Sequence, residues 1–403
     1  MARVILIREV LEITRALLPQ IIKVSFMWSS QRYIKNGRAI GRGDSVLREA
    51  VRQIHHQMGH QPPLPAVLTL RHLSKLTGVS FQILRIYVSR SGPDAYRNFS
   101  IRKRTGGYRR ISVPEASLKR VQTWIAHNIL SRPTVHRASH AFCKGDSTVR
   151  CARVHCEAKW LIKMDIADFF GSITEIQAFR VFRSLGYNSL VSFEMARLCT
   201  YRVPNSKKYM LSQWKSWHSS HKINYYLQGV LGRVPQGAPT SPMLSNLVMR
   251  EIDAKILEVA QTHHLRYTRY SDDMTFSTTD TYSRSQAVDL ISEVSQILKA
   301  NGLFLNRGKT AIVPPGARKV VLGLLVDRST PTLPREFKDR VRQHLHYLKK
   351  YGIQQHVIRR EFDSVGGAYR YLLGLINYAN MVDANWAMKL RSEFDSLPWP
   401  GTS

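Results

Sequence analysis

The chain has 403 residues, 43% of them hydrophobic, which is enough to bury a substantial core in two or three subdomains and excludes a disordered tail. Lys and Arg number 60 against 28 Asp and Glu, a net charge of +32 spread along the whole chain, and this points to a polyanion held over a wide surface, above all nucleic acid. Cys143, Cys151, Cys156 and Cys199 form no CxxC pair and are too few to staple a chain of this length, as in a reduced, intracellular setting.

In chain order, MARVILIREVLEITRALLPQ reads as an amphipathic helix, because Arg3, Arg8, Glu9, Glu12 and Arg15 interrupt any signal-peptide core. No later run has the uncharged apolar length of a bilayer span, so a cytoplasmic protein with no membrane partner is expected. A second helix is expected at SVLREAVRQIHHQM, and the prolines of QPPLP, residues 61–65, suggest a linker. LTLRHLSKLTGVSFQILRIYV holds two apolar-periodic segments either side of Gly78, the pattern of a helix-turn-helix or of two packing helices.

Over residues 102–114, RKRTGGYRRISVP reads as a hairpin with Gly106 and Gly107 at its tip and Arg102, Lys103, Arg104, Arg109 and Arg110 around it. Guanidinium forks and a mobile lysine suit phosphate groups, although a solvated charge run has the same composition. SLKRVQTWIAHNIL follows as an amphipathic helix with Leu118, Val121, Ile125 and Leu130 on one face. Cys151, His155 and Cys156 lie close together but lack a second ligand pair at zinc-finger spacing, so they read as ordinary fold residues.

WLIKMDIADFFGSI carries a buried strand from Trp160 that delivers Asp165 at its end, with Asp168, Phe169 and Phe170 at the following turn. RYTRYSDDMTFS, residues 266–277, sets Asp272 and Asp273 side by side between two short strands. A buried acid is unfavourable without a cation, so the economical arrangement places both elements in one sheet with their carboxylates converging. Hard oxygen ligands beside a phosphate-rich substrate select magnesium, and two ions about 3.5–4 Å apart serve an in-line phosphoryl displacement.

These segments resemble the reverse transcriptases, and among them the bacterial retron type. Tyr270-Ser271-Asp272-Asp273 matches the YxDD signature, Asp165 in KMDIADFF the first catalytic aspartate, and VPQGAPTSPMLSNLV, residues 234–248, the PQGxxxSP motif. RKRTGGYRRISVP resembles the fingers, NGLFLNRGKTAI the segment carrying a lysine, here Lys309, and KVVLGLLVD, residues 319–327, the primer-grip hairpin. The resemblance implies an α+β, right-hand polymerase architecture. Its parts would be a helical N-terminal extension over residues 1–95, fingers over 96–160, a palm with interleaved fingers elements over 161–330 and a helical thumb over 331–403.

The resemblance also implies roles. Asp165, Asp272 and Asp273 would be catalytic and would hold two Mg2+ ions, with Mn2+ as a possible substitute. Phe170 would be the steric gate against a 2′-hydroxyl; Gln236 and Gly237 would line the nascent base pair. Arg109, with Arg102 or Lys103, would grip the incoming deoxynucleoside triphosphate, and Lys309 would sit near the leaving pyrophosphate. Arg335, Lys338, Arg340 and Arg342 of the thumb would contact RNA or DNA phosphates. The implied partners are a structured noncoding RNA serving as template and primer, its DNA product, and a separately encoded effector protein in antiphage defence.

Two departures from the retron pattern stand out: Cys151-Ala152-Arg153-Val154-His155 lacks the asparagine of NAxxH, and Val321-Leu322-Gly323 replaces a VTG triplet. They leave open a related defence-associated reverse transcriptase with different priming. RNA-templated RNA synthesis and a nonenzymatic RNA-binding protein are the other readings.

Overall fold

The computed structural model describes residues 29–102, 106–202 and 231–399. The amphipathic helix expected at the N-terminus, and Lys103 and Arg104, lie outside these residues. Helices α1 (Ser30–Ala39) and α2 (Asp44–Met58) come first, and α2 contains the periodic run expected there, with Leu47 and Ile54 buried on one face. QPPLP does stop α2, but it is no free linker. Leu64 and Val67 are buried in the main core, and the Tyr187 hydroxyl donates to the Pro65 carbonyl at 2.9 Å.

Helices α3 (Leu70–Thr77) and α4 (Phe81–Ser89) meet at Gly78, whose φ of +68° closes α3 in a left-handed conformation that glycine adopts without strain. They pack on each other and bury Leu73, Leu84 and Val88 in the main core. Strands β1 (Tyr96–Arg102) and β2 (Tyr108–Pro114) form the expected hairpin, with Arg102 opposite Tyr108 as the pair nearest its tip. Helix α5 (Ala116–Ile125) runs into one π turn, Ala126–Leu130, and Leu118, Val121, Ile125 and Leu130 are all buried as their spacing predicts.

The centre is a four-stranded antiparallel sheet in the order β6-β7-β3-β8. Its strands are β3 (Trp160–Asp165), β6 (Arg266–Tyr270), β7 (Asp273–Thr278) and β8 (Ala311–Val313). Side chains alternate across each strand. Ile162, Met164, Tyr267, Met274 and Phe276 therefore fall on one face, in the main core, where Tyr267 and Phe276 stack at 4.8 Å. Between β3 and the β6–β7 hairpin the chain supplies α6 (Glu175–Ser184), α7 (Ser189–Leu198) and α8 (Ser241–Thr262); α9 (Arg284–Ala300) follows the hairpin and packs on α8. Pro242 falls in the first turn of α8, where its missing N–H is no loss.

A buried ion cluster joins these layers. Glu175 accepts from Arg197 at 3.0 Å, from the Gly232 amide at 2.8 Å and faces Arg90 at 2.5 Å, and its side chain is wholly buried. The residue after α4, the end of α7 and the strand β5 (Gly232–Arg233), which pairs with β4 (Tyr201–Arg202), are thereby tied to one carboxylate.

The opposite face of the sheet meets a second core. Leu161, on the other side of β3 from Ile162, joins Ala152, Cys156, Val321, Leu324 and Val326 with residues of the C-terminal helices. Those helices are α10 (Arg335–Tyr351), α11 (Ile353–Arg359), α12 (Val365–Val382) and α13 (Ala384–Asp395). The hairpin of β9 (Val320–Val321) and β10 (Leu324–Leu325) turns through Leu322 and Gly323, with φ of +49° and +84°. The third residue of the Val-Leu-Gly triplet is thus a glycine where the turn requires one. Among the described residues no helix is long and apolar enough to cross a membrane.

Candidate active site

The site lies at one corner of the sheet. Tyr270 and Asp273 face each other in register, leaving Ser271 and Asp272 as the turn, and Asp165 is the register partner of Asp273 on the other side. The Ile166 amide donates to the Asp272 carbonyl at 3.0 Å, so the ends of β3 and of the hairpin are stitched together. Pairing thus sets Asp165 beside Asp273, with Asp272 in the adjoining turn. Asp165 is only 3% exposed, and it caps a strand otherwise made of apolar residues and Lys163.

Packing three acids together has an electrostatic consequence. Burial, followed by repulsion from Asp272 and Asp165, pushes the Asp273 carboxyl up to about 6, against partial relief from Lys163 and Lys309. Lys309 Nζ lies 2.7 Å from Asp165 Oδ2, and that hydrogen bond raises the lysine. A positive charge is therefore what this corner attracts. The donor set is hard carboxylate oxygen, which fits a divalent ion such as Mg2+. Among the described residues no three acidic, His or Cys side chains stand in ready-made coordination, and Lys309 pairs with Asp165 instead.

The remaining residues singled out in the sequence fall around this corner or away from it. Phe170 is half-buried, packed on Phe169 at 5.5 Å and Phe142 at 6.4 Å. The Gln236 carbonyl accepts from the Ser112 amide at 2.8 Å, which docks the PQG loop on the edge of β2. Gly237 has φ +117°, and a Cβ there would lie 3.0 Å from the Ile111 side chain and 3.2 Å from the Ser112 carbonyl. The neighbour that requires this glycine is the hairpin itself.

Arg109 pairs with Ile101 and Arg102 with Tyr108, so alternation puts Arg109 on one hairpin face with Phe99 and Ile111, and Arg102 on the other with Arg110. The two arginines do not share a surface. The basic residues of α10 also divide. Lys338 and Arg342 both lie over the Trp386 ring, at 5.2 and 5.8 Å, and Lys338 pairs with Asp383 at 3.5 Å. Arg335 is exposed and pairs with Asp339 at 3.4 Å, whereas Arg340 lines a separate notch with Arg360 and Tyr371. Cys151, His155 and Cys156 serve the fold: His155 bonds Ser277 and Thr268 at 2.7 Å each, and Cys151 donates to Thr268 at 3.2 Å.

Sequence reasoning missed the support beneath the turn. Arg269 is fully buried, and its guanidinium binds Asp253 through Nε at 2.9 Å and Nη2 at 2.8 Å. Its Nη1 donates to the Ser271 carbonyl at 2.9 Å and to Asn246 at 3.1 Å. Ser271 carries φ +60°, a conformation rare outside glycine, and the arginine bond holds its carbonyl there. The missed signal was a charge on the inward side of an alternating strand, in line with Tyr267, facing a helix that carries Asn246 and Asp253.

The sequence model of the family described as reverse transcriptase (RNA-dependent DNA polymerase) matches residues 101–348. The chain belongs to the reverse transcriptase family. It is 30% identical over 287 residues to the retron Ec86 reverse transcriptase of Escherichia coli, covering 71% of this chain and 79% of that protein. It is also 30% identical over 293 residues to the retron Mx162 reverse transcriptase of Myxococcus xanthus, covering 69% of this chain and 58% of that one. A solved telomerase of Candida albicans, in complex with a fragment of telomeric RNA, covers 76% of this chain and 62% of its own at 14% identity and a TM-score of 0.40. The protein is a reverse transcriptase of the retron type, with an α+β architecture centred on the four-stranded sheet. Enzymes of this family work with divalent metal ions.

Proposed function

We propose that the protein copies a dedicated, structured noncoding RNA into DNA, extending a primer hydroxyl with deoxynucleoside triphosphates at the Asp165–Asp272–Asp273 corner. The observation that carries this is the register: pairing of β3 with β7 sets Asp165 opposite Asp273, with Asp272 in the adjoining turn. Two Mg2+ ions bound there would activate the attacking hydroxyl and stabilise the leaving oxygen. The chain's own residues do the rest. Asp165 and Asp272 supply oxygen ligands, and Asp273 completes the acidic cluster. Lys309, 2.7 Å from Asp165, would contact the leaving pyrophosphate. Phe170 packs beneath the sugar, and Gln236 and Gly237 border the nascent pair. Arg109 reaches the triphosphate from its face of the fingers hairpin, and the thumb basic residues that remain exposed, Arg335 foremost, track the duplex.

By its likeness to retron enzymes, the protein acts in the cytoplasm, starts DNA from its own RNA to leave a branched RNA–DNA product, and works beside a separately encoded effector in antiphage defence. The decisive test is incorporation of labelled deoxynucleotide by purified protein with its native RNA. Asp165→Ala and Asp272→Ala are expected to lower it at least about a thousandfold, the scale of removing catalytic metal ligands or charge-stabilising groups. Activity that survives either substitution overturns the proposal. Sequencing of the copurifying nucleic acid separates branched from linear products.

A further inference from the structure

Phe142 lies outside the motifs singled out in the sequence, yet the structure gives it three unusual properties at once. Its side chain is 42% exposed, its φ is +69°, and its ring lies 6.4 Å from that of Phe170, five residues after Asp165. Exposure forfeits the burial of a large aromatic side chain, and a left-handed backbone strains any residue with a Cβ. Among the described residues Phe170 is its one ring contact. Strain of this kind persists at ligand sites, and Asp168 and Ser271, at φ +44° and +60°, flank the Asp165–Asp272–Asp273 corner.

The loop that presents Phe142 is firmly held. The Arg269 amide donates to the Ala138 carbonyl at 2.7 Å, and the His140 amide donates back to the Arg269 carbonyl at 2.8 Å. Asn246 Nδ2 donates to the Ala141 carbonyl at 2.7 Å, and Ser139 Oγ donates to Asn246 Oδ1 at 3.1 Å. The residue before Phe142 is therefore bonded to the same buried Arg269–Asn246–Asp253 cluster that fixes the Ser271 carbonyl. One device aims both the Asp272 turn and this ring.

We infer that Phe142 is a substrate-contacting residue of the polymerase, packing its ring against the base or sugar face of a nucleotide at the reaction corner. This rests on the polymerase reading. A ring face offered to solvent beside the gate suits a nucleotide whatever its base, because every base presents an apolar π surface.

The test uses Phe142→Gly and Phe142→Trp in primer extension on primed RNA. One arm varies the deoxynucleotide at saturating primer–template, and the other varies primer–template at saturating deoxynucleotide. Phe142→Gly relieves the backbone strain, so its Tm is expected to rise while kcat/KM falls about tenfold in one arm, the scale of one lost stacking contact. The arm that moves identifies the incoming or the primer-terminal nucleotide. Phe142→Trp is expected to hold both values within about threefold, as the ring face is kept. Phe142→Gly with both efficiencies within about twofold of wild type overturns the inference. So does a fall in Tm together with activity, which would make the ring a packing element of its loop. A wild-type protein that extends no primer fails the polymerase reading instead, a result distinct from either.

Discussion

At Gly237 the backbone has φ +117° and the space for a Cβ is taken by Ile111 and the Ser112 carbonyl. Gly237→Ala is expected to push the PQG loop off β2, breaking the Ser112–Gln236 bond, and to lower primer extension on the order of tenfold or more in steady-state assays. Gly374 is the matched control, since nothing lies within 4 Å of its Cβ position in α12, and Gly374→Ala should leave activity unchanged. Phe170→Ala is expected to admit ribonucleotides, measured as the ratio of kcat/KM for deoxy and ribo substrates; an unchanged ratio removes its gate role. The three aspartates were legible because an acid at a buried strand end is anomalous in a basic chain. Arg269 and Phe142 were not: one looks like another basic residue in RYTRYSDD, and the other like a core aromatic until its exposure and φ are known.

Among the elements, the segment over residues 148–155 shows how a motif residue can be structural. Burial, aided by the charges of Arg266 and His140, lowers His155 to about 3 from the usual 6.5, so it stays neutral inside the fold. The unfolded chain binds a proton at His155 below pH 6.5 and the native state does not, so this stability is complete above pH 6.5 and lost as pH falls. Between pH 7.5 and 5 the loss is about 2 kcal/mol, and His155→Gln should remove that slope in urea titrations at the two pH values. A wild-type difference no larger than that of the variant excludes it. Helix and hairpin positions were readable because apolar period and glycine tips are local signals, as at Leu118, Val121 and Ile125 and at Gly106 and Gly107. The QPPLP stretch misled because proline marks where a helix stops and is silent on whether the next residues pack, which Leu64 and Val67 do.

For the whole molecule, charge sets the terms of binding. A net +32 with an acidic corner predicts RNA affinity that falls steeply with salt, about a thousandfold or more between 50 and 200 mM if six to ten phosphates are contacted. Fluorescence anisotropy at several salt concentrations measures the slope, and a flat one excludes a broad phosphate footprint. Composition conveyed the polyanion partner, whereas the division of the α10 cations between the Trp386 side and the Arg360 notch needed the helix packing to be seen.

Strand β3 is the wall between the two cores: Ile162 and Met164 face one, Leu161 the other, and Asp165 ends it. The C-terminal helices α10–α13 are therefore not a detachable module. A chain cut after residue 330 would bare Leu161 and the β9–β10 hairpin to water and loosen the strand that carries Asp165, so the two pieces are not expected to fold apart from each other.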